Sequence, residues 1–183
     1  MSKKLILLGV VTMIILSGCG DKASKPTSTS MAPSDNMNHT NHISSSEIPQ
    51  GLKTAKNPTY PIGSKAFIQA DHMPGMKGAA ATIVGAYETT AYAVTFTPTT
   101  GGKPMSNHKW VIQEEIKNPG DKPLTSGTQI TIIADHTPGM KDATATIDSA
   151  QQTVVYMVDF TPTTGGKLVK NHKWVTESEL STK

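Results

Sequence analysis

Gly63–Ile116 aligns without a gap on Gly127–Leu180, at a constant offset of 64 positions, and about 31 of the 54 aligned residues are identical. Internal self-similarity constrains a fold more tightly than local propensity, because both copies must take up the same structure. The first β repeat spans 61–118 and the second 127–183. Between them, Lys117–Ser126 carries Pro119-Gly120 and Pro123, and 119–126 is the joint proper.

Each copy reads as strands and turns. Tyr92, Val94 and Phe96 fall on one face of a period-two stretch, and Tyr156, Val158 and Phe160 repeat them. Ala79, Ala81 and Ile83, with Ala143, Ala145 and Ile147, form a second alternating run. Gly63–Ala70 supplies an earlier strand, and His108–Val111 and His172–Val175 open a later one. ThrProThrThrGlyGly at 97–102 and 161–166 is rich in turn residues. No segment reads as a helix longer than a turn or two. The expected class is all-β, with two tandem small SH3-like barrels. A unit of this size is marginal alone, so the two copies are expected to pack together.

Ahead of the repeats, Lys3 and Lys4 precede an apolar run, Leu5–Leu16, followed by Ser17-Gly18-Cys19. A basic start, a short apolar core and small residues form a secretory signal over 1–18. The apolar run is about 12 residues, against the roughly 20 of a spanning helix. The pattern resembles a bacterial lipobox. It implies lipidation of Cys19 and a place on the extracellular face of a cell membrane, held by acyl chains. Residues 19–60 read as a flexible polar tether, dense in Ser, Thr, Asn, Lys and Pro. About 40 such residues reach roughly 35 Å.

The formal charge is +3 and arginine is absent. Without the guanidinium fork, nucleic acid is a poor partner. Cys19 is the only cysteine, so no disulfide can form within the chain. Soft-metal chemistry is left to methionine and histidine. Two blocks carry them and survive in both copies. AspHis-x-ProGlyMetLys holds Asp71, His72, Met76, Asp135, His136 and Met140; AsnHisLysTrp holds His108, Trp110, His172 and Trp174. Copy one adds Met73 and Met105, which become Thr137 and Val169 in copy two. The tether adds Met37, His39 and His42. Thioether sulfur suits Cu(I) and imidazole suits copper in either state, whereas zinc and calcium prefer other donors. The candidate ligands are therefore His72, Met73, Met76, Met105, His108, His136, Met140 and His172, with Met37, His39 and His42 as further donors in the tether. Copper is the implied cargo, Cu(I) ahead of Cu(II).

A plainer reading stands beside each assignment. Met76 and Met140 could plug a small core. Asp71 and Asp135 could cap turns. His108 and His172 sit two residues before Trp110 and Trp174, hence on the same strand face, and could cap the barrel. The tryptophans read as core.

The blocks DHMPGMKGA, TPTTGG and NHKWV, doubled behind a lipobox and a polar tether, resemble the YdhK family of Firmicute surface lipoproteins. Within it they resemble staphylococcal copper-resistance lipoproteins. That resemblance implies an extracellular, membrane-anchored protein that binds copper and limits its toxicity, with a copper exporter or the cell wall as possible neighbours. A second function class is a non-metal module that grips cell-wall polymer or another surface protein. No GxSxG or HExxH pattern is present and Ser106 becomes Lys170 in copy two, so an enzyme is not expected.

Overall fold

The computed structural model describes residues 46–183. Cys19, Met37, His39 and His42 lie outside the described residues, as do the signal and most of the tether. The described chain is all-β, with eight strands in one sheet. They are β1 (Lys53–Thr54), β2 (Lys65–Ile68), β3 (Ala80–Phe96), β4 (Met105–Ile112), β5 (Gln129–Thr131), β6 (Thr144–Phe160), β7 (Val169–Thr176) and β8 (Leu180–Ser181). Short 3-10 turns, Gln113–Glu115 and Glu177–Glu179, follow β4 and β7. The main path through the sheet runs β5-β6-β3-β2-β8, with β1 and β4 also on β3 and β7 on β6.

The backbone of the molecule is the antiparallel pair β3–β6, 17 residues each. Pairing runs from Ala81↔Phe160 to Phe96↔Ala145, with Thr89↔Thr153 at its middle. Those two threonines are one repeat offset apart, so the strand pairs with its own copy about a pseudo-two-fold axis. The two alternating runs of each copy are thus one long strand rather than two short ones. A bulge hides this in the sequence. Val84 is extra on β3 between Ile83↔Val158 and Gly85↔Met157, and its equivalent Asp148 is extra on β6. One added residue shifts the period-two phase without ending the strand.

Three buried clusters form around this pair. The first joins Ala66, Ile68, Met76, Ala79, Ala81 and Ile83 of copy one to Tyr156, Val158, Phe160, Val175 and Leu180 of copy two. The second joins Ile130, Ile132, Met140, Ala143, Ala145 and Ile147 of copy two to Tyr92, Val94, Phe96, Val111 and Ile116 of copy one. The third, at the middle, holds Trp110 and Trp174 with Tyr87, Ala91, Ala93, Val155 and Met157. The faces read from the alternation are the buried ones. Each small β-lobe, however, is completed by the other copy. The second lobe is drawn from the continuous stretch Tyr92–Ile147, across the joint; the first is drawn from the two ends of the folded part. Burying a large apolar side chain is worth about 1.5–3 kcal/mol. A copy of about 54 residues supplies too few of them, and pooling two copies overcomes that shortage.

The retained loops interlock across the copies as well. Thr163 N donates to Gly75 O at 2.8 Å, and Thr99 N donates to Gly139 O at 2.9 Å. Gly75 has φ +76°, and a Cβ there would lie 2.5 Å from Thr164 Oγ1 and 2.9 Å from Pro162 Cβ. Only glycine fits such a backbone at such an approach. ProGlyMet and ThrProThrThrGlyGly therefore have a structural reason to persist together.

Candidate functional site

The hairpin between β2 and β3 carries Asp71, His72 and Met73. Its first residue is pinned to the other copy, since Gln69 N donates to Glu179 O at 2.8 Å; Ile133 N donates to Glu115 O at the same distance in the second lobe. This anchorage brings each hairpin histidine to the turn after the other copy's last long strand. His72 Nε2 lies 2.8 Å from Glu179 Oε1, and His136 Nε2 lies 2.7 Å from Glu115 Oε1.

Each carboxylate also receives a tryptophan. Trp110 Nε1 donates to Glu179 Oε2 at 2.7 Å and Trp174 Nε1 donates to Glu115 Oε2 at 3.0 Å. Main-chain amides add to the set, Thr176 N donating to Glu179 Oε2 and Ile112 N to Glu115 Oε2, and the Thr176 hydroxyl also donates to Glu179 Oε2. A histidine and a tryptophan of one copy thus share a glutamate of the other, twice. Burial pushes the Glu179 carboxyl up, but His72 and the Thr176 and Trp110 donors outweigh it and hold it at about 2. Sequence reasoning missed Glu115 and Glu179. The signal was present, because they are the one identical pair between the NHKWV block and the end of the alignment.

Around the first carboxylate is an open pocket of about 620 Å³ whose walls include His72, Met105, His108 and Glu179. His72 and His108, from the hairpin and from β4, therefore share one cavity with a thioether. His72 Nε2 is engaged by Glu179, while its Nδ1 is buried with no hydrogen-bond partner among the described residues. The His72 side chain is 9% exposed. His108 stacks edge-on against Phe96, with centroids 5.6 Å apart.

The second copy is different. His136 is buried and lines a pocket of about 550 Å³ with Glu115, Lys141 and Lys173, walled on one side by Glu47–Gln50. His172 is also buried, edge-on to Phe160 at 5.7 Å. The equivalent of Met105 is Val169; each packs against a core, Met105 against the second and Val169 against the first, and only Met105 brings a sulfur.

Several assignments resolve against the geometry. Met76 and Met140 are fully buried, one in each lobe core, so they plug cores rather than face the pocket. Met73 packs against the first core. Asp71 and Asp135 are exposed at the rims of the two pockets. Both tryptophans are core, as read from the sequence. His108 and Trp110 do not share surroundings, however: His108 meets Phe96 of the second cluster, whereas Trp110 belongs to the third. Three steps on β4, His108 to Val111, match two on β3, Val94 to Tyr92, and this irregularity breaks the alternation. Among the described residues, no three His, Cys, Asp or Glu side chains converge as a metal cluster. A cation in the first pocket would rely on two imidazoles and the Met105 sulfur.

A two-copy, all-β protein with cross-copy carboxylates is the class that fold and site define. The chain belongs to the DUF1541 family, described as a protein of unknown function, whose model matches residues 62–113 and 126–177. It is similar to the uncharacterized protein YdhK of Bacillus subtilis (strain 168), 54% identical over 179 residues, covering 97% of this chain and 87% of that one. A crystal structure of YdhK from Bacillus subtilis superposes with a TM-score of 0.74 at 60% identity, covering 76% of this chain and 95% of that one. The solution structure of the YdhK C-terminal domain gives 0.63 at 62% identity, covering 66% of this chain and 92% of that one. Among the described residues, no helix is long and apolar enough to cross a membrane.

Proposed function

We propose that this protein is a lipid-anchored surface protein that sequesters copper, chiefly as Cu(I), and so contributes to copper resistance. The observation that carries the reading is that His72, Met105 and His108 line one pocket. Two imidazoles and a thioether are a donor set suited to a soft cation. Glu179 on His72 Nε2 supports it further, because a carboxylate on one imidazole nitrogen orients the ring and leaves the other nitrogen for metal. Copy two has Val169 where copy one has the Met105 thioether, so copy one is the tighter site. No turnover is part of this reading. The lipobox and the Lys-rich leader support the anchor and the extracellular location.

Cu(I) titration of residues 46–183 under a competing chelator tests the proposal. One dominant site is expected. His72→Ala/His108→Ala should lower its affinity by at least 100-fold, and Met105→Val by roughly tenfold, in keeping with the loss of one ligand. Unchanged affinity in the double variant would overturn the in-pocket reading. Extending the chain back to residue 20 then measures what Met37, His39 and His42 add.

A further inference from the structure

We propose that the face each copy turns toward its sibling is also a docking surface for a second molecule of this chain, so that two molecules can exchange copies and share both pockets. Neither lobe core closes within one copy. The β3–β6 ladder, the interlocked loops and both His–Glu contacts all run from one copy to the other. None of these contacts depends on which molecule supplies the other copy. What makes the pairing internal is the joint, 119–126, which is tied back to copy one where Leu124 N donates to Tyr92 Oη and Gln113 Nε2 donates to Gly120 O and Lys122 O.

In the exchanged pair the joint is opened, and copy one of each molecule lies on copy two of the other. His72 and Trp110 of one molecule then meet Glu179 of its neighbour, and each pocket is built from two chains. Joining segments of this kind are the usual hinges of such exchange. A short connector holds two copies at an effective concentration on the order of millimolar. Exchange is therefore negligible for dilute chains and competes as the chain concentration approaches that value.

The test uses residues 46–183, which hold every residue of the three clusters; the counterpart C-terminal domain of the Bacillus subtilis protein has its own solution structure. Two differently tagged variants, Thr89→Cys and Thr153→Cys, each carry a single cysteine, since Cys19 precedes the fragment. Within one molecule each cysteine faces a threonine. Only exchange sets position 89 of one chain opposite position 153 of another. Facing residues of an antiparallel pair lie about 4.5–5.5 Å apart at Cα, within disulfide range.

The variants are mixed in denaturant, refolded together at about 10 μM and about 1 mM, and oxidised. A disulfide-linked mixed pair is expected, its ratio to monomer rising about tenfold per tenfold in concentration, with none when either variant is refolded alone. A dimer without the mixed link overturns the proposal. The unmodified chain is refolded in parallel and sized by light scattering. If it stays monomeric at about 1 mM, the proposal fails whatever the variants do.

Discussion

Glu115→Ala should cost about 3 kcal/mol or more of folding stability, because it removes the shared acceptor of three buried groups. Glu115 is 4% exposed. It accepts from Trp174 Nε1 at 3.0 Å and from Ile112 N at 3.2 Å, and it lies 2.7 Å from His136 Nε2. Alanine leaves all three groups buried without that acceptor, and each orphan costs roughly 1–3 kcal/mol. The damage spans both copies, because the carboxylate is from copy one while His136 and Trp174 are from copy two. Glu115→Gln keeps the shape and one carbonyl acceptor, so it should lose less. Urea unfolding of both variants beside the parent measures this. A loss below about 1 kcal/mol for Glu115→Ala would mean the contact is not a support of the fold.

The equivalent Glu179 adds a pH signature. Its carboxyl is held at about 2 against an ordinary 4.5. A depressed carboxyl stabilises the fold above its unfolded value, and that contribution disappears as pH falls from about 4.5 through 2. Stability of the parent should therefore fall across that window more steeply than that of Glu179→Gln. Parallel acid limbs in the two proteins would refute the assignment.

Met76→Ala is the second large effect, an expected loss of about 2–5 kcal/mol from the cavity left in the first core. Met76→Leu preserves volume and should cost less than about 1.5 kcal/mol. The same pair separates packing from coordination. If Met76 only plugs the core, the leucine variant keeps its stability and matches the parent in the copper titration proposed above. A stable Met76→Leu protein with copper affinity reduced tenfold or more would instead make Met76 a ligand, despite its full burial among Ile68, Ala81 and Ile83.

Much of this architecture was legible because repetition and alternation are local in the chain. Tyr92, Val94 and Phe96 announce a buried face, and so do Ala143, Ala145 and Ile147. That they face each other across copies, Val94 opposite Ile147 and Phe96 opposite Ala145, is not written in either run. Period-two reasoning also misjudged His108 and Trp110, because an extra residue in β4 resets the phase. For the candidate site, His72 and His108 could be singled out as retained polar residues, and they do line one pocket. Glu179 could not be joined to them, since it lies 107 positions from His72 and belongs to the other copy.

The amino-acid order by itself determined that the folded part is β-structured, doubled and cysteine-free, and which side chains of the alternating runs of β3 and β6 turn inward. Those properties follow from side-chain periodicity and residue chemistry, which act over a few residues. Only the tertiary structure decided which copy completes which core, that Met76 and Met140 are packed in the lobe cores, and that His72 and His136 each meet a distant glutamate. Long-range β pairing depends on the pooled burial of two half-cores, and no short stretch of sequence encodes that sum.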